Sequence, residues 1–202
     1  MNARLNYKID FLSGVHYQNV LRMNHYHLSI WMTTQSEDSE NHNIAFERLK
    51  AFVSYSLDSA VFINRADQDS CEKLLQAGVN ICTLPEDPVD QVVGIMLFSK
   101  LNAIMEGRII IDEIEISSDL GDNMIYLHGA SENIGPFEQK GWWHEPDLSF
   151  NHSDLVDENK KIMNINRAIG WRDLDLQWPG DDKIKQEGNT IVYADFGRNE
   201  NK

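Results

Sequence analysis

Cysteine, proline and positive charge are what this 202-residue chain has least of. Its two cysteines, Cys71 and Cys82, form neither a CxxC pair nor a disulfide framework, which rules out a stapled scaffold and fits a reducing compartment. Eighteen Lys and Arg face 32 Asp and Glu, a net charge of −14 with no local basic cluster, so direct binding to nucleic acid or to an anionic membrane is disfavoured. From Met1 to Asp10 polar and apolar residues alternate, without the apolar core of a secretory signal, and no lipidation motif follows. A cytoplasmic protein is expected. G-x-S-x-G, the Walker loop and G-x-G-x-x-G are all missing, and neither cysteine has a histidine nearby in sequence, which removes the commonest hydrolase and nucleotide-binding routes. There is no internal repeat and no low-complexity tract.

What is present is enough apolar residue, 42%, for one sizeable core. The most decided stretch runs from Leu84 to Leu127. Asp87 and Pro88 suit the cap and first position of a helix, and Val89, Val92, Val93, Met96, Leu97, Ala103 and Ile104 fill one broad face at about 100° per residue. Ile95, Phe98, Leu101 and Met105 lie elsewhere on the wheel, so a central helix over 88–106 needs cover on more than one side. Asp90, Gln91, Lys100 and Asn102 exclude a membrane span, and Lys100 reads as an apolar stem with its ammonium in water. Gly107 is placed to end the helix, after which isoleucines at 109, 110, 111, 114 and 116, a turn-rich 117–123 and an apolar 124–128 predict a hairpin over about 109–128.

Elsewhere, strands are predicted over 5–12, 25–33, 60–63 and 79–84, and helices over 44–57 and from Asp67 or Asp69 to Ala77, with Gly78 as the stop. From Gly129 to Gly170 the chain is polar and turn-rich, a long excursion with one helix over 153–163. Residues 171–178 alternate as a strand, 191–196 form a last one, and 197–202 read as a frayed tail. The expected fold is α+β, a mixed sheet with the central helix buried. Residues 1–128 form the core, and a loop-rich 129–202 adds two strands to complete the sheet within the same domain.

Chemistry is sparser. His25 and His27, two apart on a strand, point to one face and could share a metal ion, with His16, His128, His144 and His152 as further candidates. Ordinary hydrogen-bonding histidines are the expectation, with no cofactor, and a divalent metal is the alternative. His27, Leu28, Ser29 and Ile30 resemble one half of the His-x-Ser/Thr signature of the two-histidine phosphoesterases, which implies His27 for proton transfer and Ser29 for holding phosphate. The second half is missing: His128, Gly129, Ala130 lacks the hydroxyl, and His152, Ser153, Asp154 sits in a loop-like context. Asp112, Glu113, Glu115, Asp119 and Asp122 give the hairpin an acidic edge without calcium-loop spacing, read as solvated charge. Trp142 and Trp143, beside His144, are placed as partner anchors.

The expected function is therefore a non-enzymatic, acidic protein-interaction module, an accessory or inhibitory factor for a basic or nucleic-acid-binding protein partner. A homodimer through the uncovered side of the central helix accompanies it. The alternative is a metal-dependent hydrolase or phosphoesterase built on His25 and His27.

Overall fold

A computed structural model describes residues 3–34, 39–131, 134–150 and 169–180. Its frame is a six-stranded mixed sheet in the order β4-β3-β1-β2-β5-β6. Two 15-residue strands, β1 (Ala3–Tyr17) and β2 (Val20–Thr34), form a long antiparallel hairpin. The two-residue connection, Gln18 and Asn19, has both residues at positive φ (51° and 60°), the pairing that suits the right-handed twist of a tight hairpin. The strands predicted at 5–12 and 25–33 are thus the middle of one larger unit.

Strand β3 (Val61–Asn64) joins β1 in parallel and β4 (Ile81–Leu84) joins β3 in parallel. On the other side β5 (Ile110–Ser118) and β6 (Tyr126–Gly129) add antiparallel strands, the predicted hairpin. A register shift between Trp31 and Met32 bends the β2–β5 pair. Helix α1 (Ser39–Phe52) runs into a π-helical turn, Val53–Leu57, and α2 (Gln68–Gln76) is capped by the Asp67 carboxylate, which accepts from the Ser70 amide at 3.2 Å. The central helix, α3 (Asp90–Met105), begins after Val89; Asp87 accepts instead from the Asn64 side chain at 2.8 Å. Glu106 (φ 48°) shares the left-handed turn that ends α3 with Gly107 (φ 71°).

Strand alternation sorts the two faces. Phe11, Tyr26, Leu28, Ile30, Met32, Ile114 and Ile116 turn toward α1 and α3 and form one core with them. At the β3–β4 end, Val61, Ile63 and Ile81 turn the other way, where α2 covers them with Cys71. The face of β1, β2 and β5 opposite α3 is left largely open, with Lys8, Asp10, Leu12, Met23 and His27 exposed.

The second side of α3 is covered by the chain's own excursion and the segment after it: Phe137, Trp142, Trp143, Leu148 and Phe150 of the first and Trp178 of the second belong to the same core. That removes the apolar surface on which a homodimer was expected. Residues 171–178, whose alternation predicts a strand, form turns, with Asp175 at φ 57°. Arg48 holds them: its Nε donates to the Leu176 carbonyl at 2.8 Å, its guanidinium lies 4.1 Å from the Trp178 ring and 4.8 Å from the Trp171 ring, and Nη1 pairs with Glu106 at 2.7 Å. The period of two in this segment comes from Leu174, Leu176 and Trp178 turning to the core, with Trp178 also against Arg48, without a ladder. The helix predicted at 153–163, the strand at 191–196 and the tail lie outside the described residues.

Lys100 corrects a second expectation. It is 0% exposed, its ammonium donating to the carbonyls of Trp142 (3.1 Å) and Glu145 (2.7 Å), so it staples the excursion to α3 instead of reaching water. Burial pushes it from 10.5 down to about 8, against the pull of Asp147 and Glu145. Between those values the unfolded chain holds a proton that the folded chain has shed, so this group's contribution to stability rises with pH from about 8 to 10.5. Burial pushes Cys71 up to about 11 and Cys82 well above 9, which lowers stability above pH 9, so the effect must be isolated by comparison. In urea unfolding, the stability of wild type relative to Lys100→Met should rise by on the order of 3 kcal/mol between pH 8 and 10.5, at roughly 1.4 per unit. Parallel pH curves would show a solvated ammonium.

Candidate functional site

The open sheet face carries the cluster with the most chemistry. Alternation along β2 puts His25 and His27 on this face with ring centroids 4.5 Å apart. The β1–β2 register sets Asp10 directly across from His27, and Asp10 Oδ1 lies 3.1 Å from His27 Nδ1. One nitrogen from each histidine and one oxygen of Asp10 all lie within 4.8 Å of one another, the only such group of three His, Cys, Asp or Glu side chains among the described residues. Asp119, in the loop after β5, closes the other side: its Oδ1 is 3.5 Å from His27 Nε2 and its Oδ2 3.8 Å from His25 Nδ1. The site is wet, with Asp10 60% and Asp119 65% exposed. Beside it a cavity of about 380 Å³ is lined by His27, Ser117, Ser118, Asp119, Asn123 and Ile125. Asp122 and Asn123 both have positive φ (53° and 59°), a bend two short polar residues tolerate.

Asp10 was missed in the sequence. The signal was available, since a tight turn at Gln18–Asn19 makes cross-strand partners sum to 37 and pairs residue 10 with residue 27. Without a glycine that turn carries no strong mark. Asp119, read only as part of a solvated acidic edge, stands against both histidines; Asp112 of that edge accepts from Thr33 at 2.6 Å and Glu115 from the Trp31 indole at 3.2 Å.

The other histidines do not join the cluster. His16 faces Asp67 at 3.5 Å, His128 is buried against Gly94 of α3, and His144 is exposed beside Trp143; His152 lies outside the described residues. Ser29 shares the His27 face, but its hydroxyl is engaged with the Asn6 side chain at 3.2 to 3.3 Å. A larger hollow of about 500 Å³ between α3 and the excursion, lined by residues such as Phe98, Ile110 and Ile134, shares no lining residue with the cluster.

The placement of Trp142 and Trp143 as partner anchors is corrected. They are 5% and 2% exposed, and their indole N–H groups donate inward to the carbonyls of Thr83 and Phe137, each at 3.0 Å.

The chain matches no protein-family model and no curated protein. Among solved structures, it is similar to an uncharacterized protein of Wolinella succinogenes, at 10% identity over 65% of this chain and 99% of the other, with a TM-score of 0.49. It is also similar to 6-pyruvoyltetrahydropterin synthase of Plasmodium vivax with a catalytic-residue substitution, at 10% identity over 63% and 97%, TM-score 0.42. The Plasmodium falciparum synthase follows at 14% identity over 63% and 96%, TM-score 0.40. The expectation of a non-enzymatic interaction module is corrected by the core itself: the tryptophan pair meant to anchor a partner is buried in it. Among the described residues no helix is long and apolar enough to cross a membrane.

Burial of the pair has a direct consequence. Trp142→Ala and Trp143→Ala should each cost about 3 to 5 kcal/mol of unfolding free energy, as large core truncations do. Partner anchors would leave the denaturation midpoint of the isolated protein where it was.

Proposed function

We propose that the chain holds a divalent transition-metal ion between Asp10, His25 and His27 and is a metal-dependent enzyme acting on a small polar molecule in the adjoining cavity. The observation that carries this reading is the convergence of the three donor atoms to within 4.8 Å from two paired strands. Two imidazoles and one carboxylate are the donor set of catalytic zinc sites that keep a position open for water or substrate, and solvent access on this face leaves such a position free. When bound, the ion supplies a Lewis acid and lowers the pKa of a water it holds.

The residues around the cluster narrow the substrate. Ser117, Asn123 and Asp119 offer hydroxyl, amide and carboxylate groups to orient a hydrogen-bonding molecule, and Ile125 adds an apolar wall. With a divalent ion between them, Asp10 and Asp119 would leave the site close to neutral, so its net charge selects neither an anionic nor a cationic substrate. The Ser29 hydroxyl, which the phosphoesterase resemblance assigns to phosphate, is engaged by Asn6. Hydrolysis is the reaction class that a water-activating ion would serve here.

Metal analysis tests the reading. Full-length protein dialysed against zinc should retain one ion per chain, and His25→Ala, His27→Ala and Asp10→Ala should each lose it while keeping the wild-type circular dichroism. A wild-type chain that retains none, or histidine variants that retain it equally, would rule the reading out.

A further inference from the structure

Each of the two imidazoles of this site turns one of its nitrogens toward the same side chain. Oδ1 of Asp119 stands 3.5 Å from His27 Nε2, and Oδ2 stands 3.8 Å from His25 Nδ1. On the opposite side of the His27 ring, Asp10 Oδ1 is 3.1 Å from Nδ1. An imidazole gives an ion one nitrogen, and the other carries a proton that needs an acceptor, most often a carboxylate or carbonyl that fixes the ring's tautomer and direction. We propose, on the footing of the metal reading above, that Asp119 is the positioning residue for both histidines: one carboxylate takes the outer N–H of each ring and turns His25 Nε2 and His27 Nδ1 toward Asp10. The separations exceed that of a formed hydrogen bond, and such contacts are often long in a site without its ligand and tighten when it is taken up.

An exposed carboxylate serves this purpose only if the chain that bears it is held. The loop is tied at each of its first residues. The Asp119 amide donates to the His25 carbonyl at 3.0 Å, and the Leu120 amide donates to Asn24 Oδ1 at 3.1 Å. The Gly121 amide donates back to the Ser118 carbonyl at 3.1 Å. On the covered face of the sheet, Ser118 Oγ donates to Asp90 Oδ2 at 2.7 Å, and that carboxylate packs so closely on Gly121 that a Cβ there would run into it. Asp90 is the first residue of α3, buried, and desolvation pushes its carboxyl upward. The central helix thus fixes, through Ser118 and Gly121, where Asp119 stands on the far face.

Cobalt(II) is the probe, because its visible absorption reports both affinity and ligand number. In titrations of full-length metal-free protein, Asp119→Asn and Asp119→Ala should bind one cobalt with the wild-type band shape but about 10- to 100-fold more weakly, the usual effect of losing an outer carboxylate. Their metal-free melting temperatures should match wild type, which separates lost positioning from lost folding. Asp10→Ala, losing a ligand, should change the band shape itself. Gly121→Ala, which displaces Asp90 while leaving Asp119 in the sequence, should weaken cobalt in the same direction. Wild-type affinity in both Asp119 variants overturns the proposal, as does a band-shape change matching that of Asp10→Ala, which would make Asp119 a ligand. Failure of wild type to bind cobalt, or equal binding by His25→Ala, overturns the metal reading itself and is recognised without any Asp119 variant.

Discussion

Strand alternation in a fixed register is the constraint on which everything else rests. In the β1–β2 hairpin, residue n faces residue 37 − n, and every second residue turns to the same side. That rule sends Phe11, Tyr26, Leu28, Ile30 and Met32 to α3 and, in the same stroke, puts Asp10, His25 and His27 together on the other face. A slip of one residue would bury the histidines and expose the aromatic core, so the apolar burial that stabilises the domain also enforces the geometry of the site. The core and the candidate metal centre are two sides of one sheet.

The second demand comes from α3, which is apolar around most of its circumference and cannot be satisfied by a sheet alone. The excursion supplies the missing cover, anchored by groups whose polar ends face inward: Lys100 to two excursion carbonyls, Trp142 to Thr83, Trp143 to Phe137, and Arg48 to Leu176 between two indole rings. Buried charges of this kind cost desolvation, and the cost is tolerable because every ammonium and guanidinium contact named here ends on a carbonyl, a carboxylate or an aromatic face. The polar composition of the excursion argued against a lid. Five large apolar side chains, Phe137, Trp142, Trp143, Leu148 and Phe150, spaced irregularly but all turned inward, make one.

Local pattern by itself determined the α+β class, the central helix and the hairpin after it, the short strands at 61–64 and 81–84, the Asp67 cap and the placing of His25 and His27 on one face. Each depends on periods of two or 3.6, or on caps, which act within a few residues. Tertiary structure alone decided three things. Whether Lys100 met water depended on residues more than 40 positions away folding over it. The alternation at 171–178 made no strand because its side chains went to the core, while Arg48 took the Leu176 carbonyl and the Trp178 ring. Asp10 and Asp119 became partners of the histidines only once a turn fixed one register and a loop held by α3 fixed the other. Long-range pairing leaves no periodic trace in either segment.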